Sequence, residues 1–128
     1  MTCAASKGPL AGRRVLVVED EFFLADDMAE ALRTLGAEVV GPAPTRAAAA
    51  DLLAGGRVDA AVLDINLRGE TIFPLADALR ARGVPFVFAT GYDASATPPA
   101  YRDVPRWEKP YDPGDLVRAL PGVIGGAG

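Results

Sequence analysis

Three short apolar runs punctuate the chain, and each closes on polar or acidic residues. Val15-Leu16-Val17-Val18 closes on Glu19-Asp20-Glu21, Ala60-Ala61-Val62-Leu63 on Asp64, and Phe86-Val87-Phe88-Ala89 on Thr90-Gly91. None alternates apolar with polar, so each reads as a strand buried on both faces. Glu38-Val39-Val40 before Gly41-Pro42, and the residues around Trp107 before Lys109-Pro110, make two weaker outer strands.

Helical spacing fills the intervals. Leu24, Met28, Leu32 and Leu35 recur every three or four positions until Gly36 supplies a stop. Thr45 can cap Arg46 to Leu53, which Gly55-Gly56 ends. Pro74 can open a third helix, with Leu75, Ala78 and Leu79 toward the sheet and Gly83 closing it. A last helix is expected from Pro113 to Leu120, with Asp112 as cap and Pro121 as limit. Strands alternating with helices predict parallel β-α-β units, with helices on both faces of one sheet. Asp93 to Pro105 breaks the alternation: it holds Pro98, Pro99 and Pro105 and shows no helical period. A loop, or at most one turn, is expected there in place of a fourth helix.

Composition narrows the chemistry. The chain has 128 residues, enough for one domain. With no histidine, it has no imidazole metal site and no histidine-activated nucleophile. The only cysteine is Cys3, so no disulfide framework exists. No apolar run approaches the ~20 residues of a membrane span. MTCAASKGPLAGRR lacks the apolar core of a signal peptide, and a cytoplasmic location is expected. A net charge of -4, with Lys7 and Lys109 as the only lysines, argues against nucleic-acid binding.

In an open parallel sheet, sites form at the carboxyl ends of the strands. There the pattern places Glu19 and Asp20, then Asp64, then Thr90, then Lys109. Two carboxylates ~4 Å apart repel by about 4 kcal/mol at an effective dielectric near 20. Three together call for protons or a cation, and Mg²⁺ suits an oxygen-ligand site that keeps several waters. Such a set fits phosphoryl transfer to a carboxylate: Asp64 as nucleophile, Glu19 and Asp20 holding the metal, Thr90 and Lys109 on the phosphoryl oxygens. Each residue also has a plainer reading. Asp64 can be a turn residue, the acidic triplet a set of first-turn helix acids, Thr90 ordinary turn chemistry before Gly91, and Lys109 a solvated charge. Their joint occurrence at four strand ends favours the functional reading.

VLVVEDE, VLDINLRGE, FATGY and EKP, taken together, resemble the receiver domain of bacterial two-component response regulators, over about Arg13 to Leu120. FATGY after PFV is similar to the FATGUY subgroup of single-domain response regulators, as is the loop-like Asp93 to Pro105. The resemblance implies a flavodoxin-like α/β fold, a doubly wound five-stranded parallel sheet in the order 2-1-3-4-5 with the fourth helix reduced or replaced by a loop. It implies a receiver domain over 12–121; the ends, an extension over 1–11 and a tail over 122–128, read as disordered and flexible from the sequence itself. It implies that Asp64 accepts a phosphoryl group from a sensor histidine kinase or histidine phosphotransfer protein. Asp20 would ligate Mg²⁺ directly, Glu19 through water, and Asn66 by its backbone carbonyl. Thr90 would be the switch hydroxyl and Lys109 the family lysine, with a cis bond to Pro110. Asn66 and Tyr92, two residues after the acceptor and after the switch threonine, would tune phosphoryl lifetime. One departure is plain: the switch aromatic three residues before the lysine is here Arg106, and the aromatic is Trp107, which can pack in the core instead.

As such a protein the chain would be no enzyme beyond its own phosphorylation and dephosphorylation. It would act as a phosphorelay component or as a switch on a partner protein, without an output domain. Two alternatives stand beside it. An aspartyl-nucleophile phosphatase would resemble D-x-D-x-T, but Asp64-Ile65-Asn66-Leu67-Arg68 lacks the second acid and the threonine. A phosphorylation-independent receiver-like module would not need the intact acid set, and a flavodoxin relative would need a Ser/Thr-rich phosphate loop after Val18.

Overall fold

The apolar runs become the central strands of one sheet. In the computed structural model, which describes residues 8–67, 70–90 and 98–126, the elements in chain order are β1 (Arg14–Val18), α1 (Phe22–Thr34), β2 (Glu38–Ala43), α2 (Arg46–Ala54), β3 (Ala60–Leu63), β4 (Asn66–Leu67), β5 (Glu70–Thr71), α3 (Phe73–Ala81), β6 (Phe86–Thr90), a single 3-10 turn (Pro99–Tyr101), β7 (Arg106–Glu108) and α4 (Pro113–Gly126). Five strands pair in parallel in the order β2-β1-β3-β6-β7. Counting the main-sheet strands alone, that is the expected order 2-1-3-4-5, and the fold is the flavodoxin-like α/β fold.

Alternate residues of each strand serve opposite faces, so two cores result. Leu16, Val18, Ala61, Leu63, Phe86 and Phe88 pack under α2 and α3. Val15, Val17, Ala60, Val62, Val87 and Ala89 pack under α1 and α4. Thr45 caps α2, its side chain accepting the Ala48 N–H at 3.1 Å. On α3 the buried positions are Leu75, Ala76 and Leu79, with Ala78 only half-buried. Ala76 faces inward because it stands three residues before Leu79 and shares its side of the helix.

Three features differ from the expected pattern. First, α4 does not stop at Pro121 but runs to Gly126, through most of the expected tail. Leu116, Val117, Leu120, Val123 and Ile124 keep helical spacing across the proline and pack in the α1–α4 core; that packing outweighs the one lost hydrogen bond. Second, the expected disorder over 1–11 does not hold for Leu10, which is 0% exposed in the same core. Its N–H donates to the Leu35 carbonyl at 2.9 Å, closing the space beneath α1. Leu10→Ala is accordingly expected to cost about 2–4 kcal/mol, read as a lower denaturation midpoint at unchanged m. A mobile start would show a change within about 0.5 kcal/mol. Third, β4 and β5 form a small antiparallel hairpin directly after β3, pairing Asn66 with Thr71 and Leu67 with Glu70. It has no counterpart in the sequence reading.

Across residues 98–105 the expected reduction of the fourth helix to one turn is what the structure shows. Tyr101 anchors that turn. It is buried, stacked on Phe73 at 5.3 Å and edge-on to Phe88 at 6.0 Å. Arg80 lies over its ring at 4.7 Å and donates to the Ala100 carbonyl at 2.7 Å and to Asp103 at 3.0 Å. Among the described residues, no helix is long and apolar enough to cross a membrane.

Candidate phosphoryl and metal site

Strand register brings the acids together. Val18 of β1 pairs with Leu63 of β3, so Glu19-Asp20 and Asp64 leave the sheet side by side. The Asp64 N–H donates to the Val18 carbonyl at 2.9 Å and the Glu19 N–H to the Ala43 carbonyl at 3.0 Å, which fixes both turns. Carboxylate oxygens of Glu19, Asp20 and Asp64 all lie within 4.8 Å of one another. Glu19 is 6% exposed and Asp64 4%, while Asp20 is half-buried.

Lys109 comes from the other side of the sheet. β7 pairs with β6 through Thr90 and Glu108, and the Lys109 N–H donates to the Thr90 carbonyl at 2.8 Å. The Lys109-Pro110 peptide is cis, and the Lys109 side chain reaches across the carboxyl ends of the strands. Its Nζ lies 3.1 Å from Asp64 Oδ2 and 3.1 Å from Glu19 Oε1. One ammonium thus bridges the two buried carboxylates. Thr90 is fully buried at the carboxyl end of β6.

The electrostatics follow from burial. Desolvation pushes the Glu19 carboxyl up to about 7, with the Asp64 charge adding to it; the Glu21 N–H, which donates to Glu19 Oε2 at 3.0 Å, and Lys109 oppose the rise. For Lys109, burial works against the charge, but Glu19 and Asp64 outweigh it and the net shift is upward. Tyr111, half-buried two residues beyond Lys109, is pushed up to about 12 by burial and by the Glu19 charge. The cluster therefore holds excess negative charge that a hard cation with oxygen ligands would relieve, and its donor set of three carboxylates fits such an ion.

The structure brings Glu19, Asp20, Asp64, Thr90 and Lys109 to one end of the sheet. Asn66 follows on β4, its main chain paired with Thr71, and Tyr92 lies outside the described residues. Trp107 faces the α1–α4 side, half-buried against that core. Arg106 points to the opposite face, paired with Phe88 in register, and its guanidinium donates to Glu108 at 3.2 Å. Sequence reasoning missed Tyr111, which lies beyond the strand-end residues, and the role of Glu21, whose contact is made by its main-chain N–H and not by the acidic side chain the pattern offered.

A doubly wound sheet with buried carboxylates, a hydroxyl and an ammonium at its carboxyl edge defines the class: an α/β protein with a charged site at the carboxyl ends of its parallel strands. No protein-family model matches the chain. Transcriptional regulatory protein PdtaR of Mycobacterium tuberculosis is 30% identical over 112 residues, covering 84% of this chain and 55% of that protein. This chain spans about half the length of the curated relatives it matches. The solution structure of SdrG from Sphingomonas melonis Fr1 is 38% identical with a TM-score of 0.77, covering 91% of this chain and 98% of that one. The solution structure of the BeF3-activated conformation of SdrG from Pseudomonas melonis Fr1 is 38% identical with a TM-score of 0.72, covering 87% of this chain and 95% of that one. A CheY-like response regulator receiver domain protein from Methanospirillum hungatei, 23% identical with a TM-score of 0.78 over 90% of this chain and 95% of that one, shares the fold. The chain belongs to the response regulator receiver domains.

Proposed function

We propose that the chain is a phosphoacceptor of two-component signalling, taking a phosphoryl group on Asp64 from a phosphohistidine of a sensor kinase or phosphotransfer protein. The observation that carries this is the Lys109 ammonium, 3.1 Å from Asp64 and 3.1 Å from Glu19, beside three clustered carboxylates. In the transfer, an Asp64 oxygen attacks phosphorus, the P–N bond breaks, and the imidazole leaves as the donor's neutral side chain after taking up a proton. Lys109 and the Thr90 hydroxyl hold the phosphoryl oxygens, whose charge the buried setting makes costly to leave unmatched. Glu19, Asp20, Asp64 and the Asn66 carbonyl would hold Mg²⁺, which when bound neutralises charge on the phosphoryl oxygens. The BeF3-activated conformation of SdrG supports a site that accepts a phosphoryl mimic.

On this reading the chain turns over no substrate beyond its own acyl phosphate and works in the cytoplasm, passing phosphoryl groups on or binding a partner protein in its phosphorylated form. FATGY at residues 88–92 supports placing it with the FATGUY subgroup of single-domain regulators. Incubation with acetyl phosphate is the test. About one base-labile phosphoryl group per chain is expected with Mg²⁺ and none with a chelator. No label from acetyl phosphate or phosphoramidate, at any Mg²⁺ concentration, overturns the reading in favour of a phosphorylation-independent module. Continuous phosphate release from small phosphomonoesters overturns it in favour of a phosphatase.

A further inference from the structure

The β4–β5 hairpin carries Asn66, two residues after Asp64, and something outside the hairpin holds it. The Arg46 guanidinium, at the first position of α2, donates from Nη1 to the Thr71 carbonyl at 2.8 Å. Its Nη2 lies 3.9 Å from Glu70 Oε2, the weaker of the two contacts. Thr71 is the register partner of Asn66. One cation on a neighbouring helix therefore grips the strand that pairs with the main chain leaving the acid cluster. α2 is tied a second time at its other end, where Arg82 Nη1, at the C-cap of α3, donates to the Leu53 carbonyl at 2.9 Å. Two similar clasps thus join α2 to α3 and its approach, one beside the acid cluster and one at the far end of the sheet.

We propose that Arg46 is a positioning residue for the cation site: through Thr71 it sets where the Asn66 main chain stands relative to Asp64. The inference rests on the proposed phosphoacceptor reading for its meaning, but its first measurement needs only a divalent cation. Fixing a ligand-bearing strand before the ion arrives lowers the ordering cost of binding. Without Arg46 that cost falls on Mg²⁺ affinity, whereas loss of Arg82 touches stability alone. The contact is to a neutral carbonyl at the surface, which bounds its effect on a binding constant at about fivefold.

The experiment compares Arg46→Ala, Arg46→Lys, Glu70→Gln and Arg82→Ala with the wild-type chain. Mg²⁺ affinity is read by calorimetry, phosphoryl half-life after acetyl phosphate labelling, and thermal stability in chelator. Arg46→Ala is expected to weaken Mg²⁺ about fivefold and to change the half-life. Arg46→Lys, which keeps a donor for the Thr71 carbonyl, is expected to restore much of both, and Glu70→Gln to stay near wild type. Arg82→Ala is expected to lower stability with Mg²⁺ affinity unchanged. Equal Mg²⁺ affinity in Arg46→Ala and wild type overturns the proposal, as does an equal loss in Arg82→Ala. If Arg46→Ala fails to fold, Arg46→Met, which keeps the unbranched stem but has no donor for the Thr71 carbonyl, is measured in its place, and wild-type Mg²⁺ affinity in Arg46→Met overturns the proposal. Wild-type chain that binds Mg²⁺ but takes no label refutes the phosphoacceptor reading while leaving this assignment standing; wild-type chain that binds no Mg²⁺ refutes both.

Discussion

Asp64→Asn is expected to abolish Mg²⁺-dependent phosphoryl uptake while leaving the fold intact. Label from acetyl phosphate should fall from about one group per chain to background, because an amide oxygen is no nucleophile toward phosphorus. The structure explains why folding survives. The Asp64 N–H to Val18 carbonyl bond is main-chain and unaffected, and Lys109 keeps Glu19 at 3.1 Å. Removing one of two buried negative charges also relieves Glu19, whose carboxyl the Asp64 charge helps to push up. In chelator at pH 8 the variant is therefore expected to melt no lower than wild type. In Mg²⁺ the order should reverse, since the wild-type site gains an ion that the variant holds with one carboxylate fewer. Label retained at the wild-type level in Asp64→Asn would mean another residue accepts the phosphoryl group.

The site was legible in the sequence for a physical reason. A strand buried on both faces must be continuously apolar, so the first polar residue after it marks the carboxyl edge of the sheet. Glu19, Asp64 and Thr90 were found that way, and each stands at the end of its strand. Lys109 was found because it is one of two lysines and follows a short run at an edge. What was not legible depends on contacts distant in sequence. Two-residue strands such as β4 and β5 are shorter than any period, and their pairing is held by Arg46 from 25 positions away. Leu10 sits between Pro9 and Ala11 in a segment without pattern, and only the space beneath α1 and α4 makes it a core residue. Pro121 is a helix breaker by its own chemistry, and the apolar faces on either side of it, not the residue, decide that α4 continues. Arg106 was read as a missing aromatic, but the structure adds what replaces one: a cation on the Phe88 and Thr90 face, paired with Glu108.

Lys109→Met tests the other half of the site, and its effect on stability should be large and pH-dependent. The substitution keeps an unbranched side chain of similar length but leaves Glu19 and Asp64, both nearly buried, without the ammonium between them. Breaking a buried pair from one side costs about 3–5 kcal/mol, and partial exposure of Lys109 brings the expectation to about 2–3. At roughly 3–4 °C per kcal/mol for a domain of this size, the melting point in chelator at pH 8 falls by about 10 °C. The pH profile follows from Glu19, raised from 4.5 to about 7 in the folded chain. A carboxyl raised on folding binds its proton more tightly when folded, so its stabilising effect is full below pH 4.5 and is lost as pH rises through 7. Loss of Lys109, which holds that carboxyl down, moves the window higher still. The gap between variant and wild type should therefore be widest at pH 8 and narrow toward pH 5, where Glu19 takes up a proton in place of the lost cation. Mg²⁺ should raise the variant's melting point by more than it raises wild type's, since the ion then meets two carboxylates that have lost the ammonium between them. Phosphoryl uptake should not recover with stability, because the oxygens that the ammonium would hold are left without it. A melting-point gap that is the same at pH 5 and pH 8 would mean that Lys109 acts by packing along its stem and not by its charge.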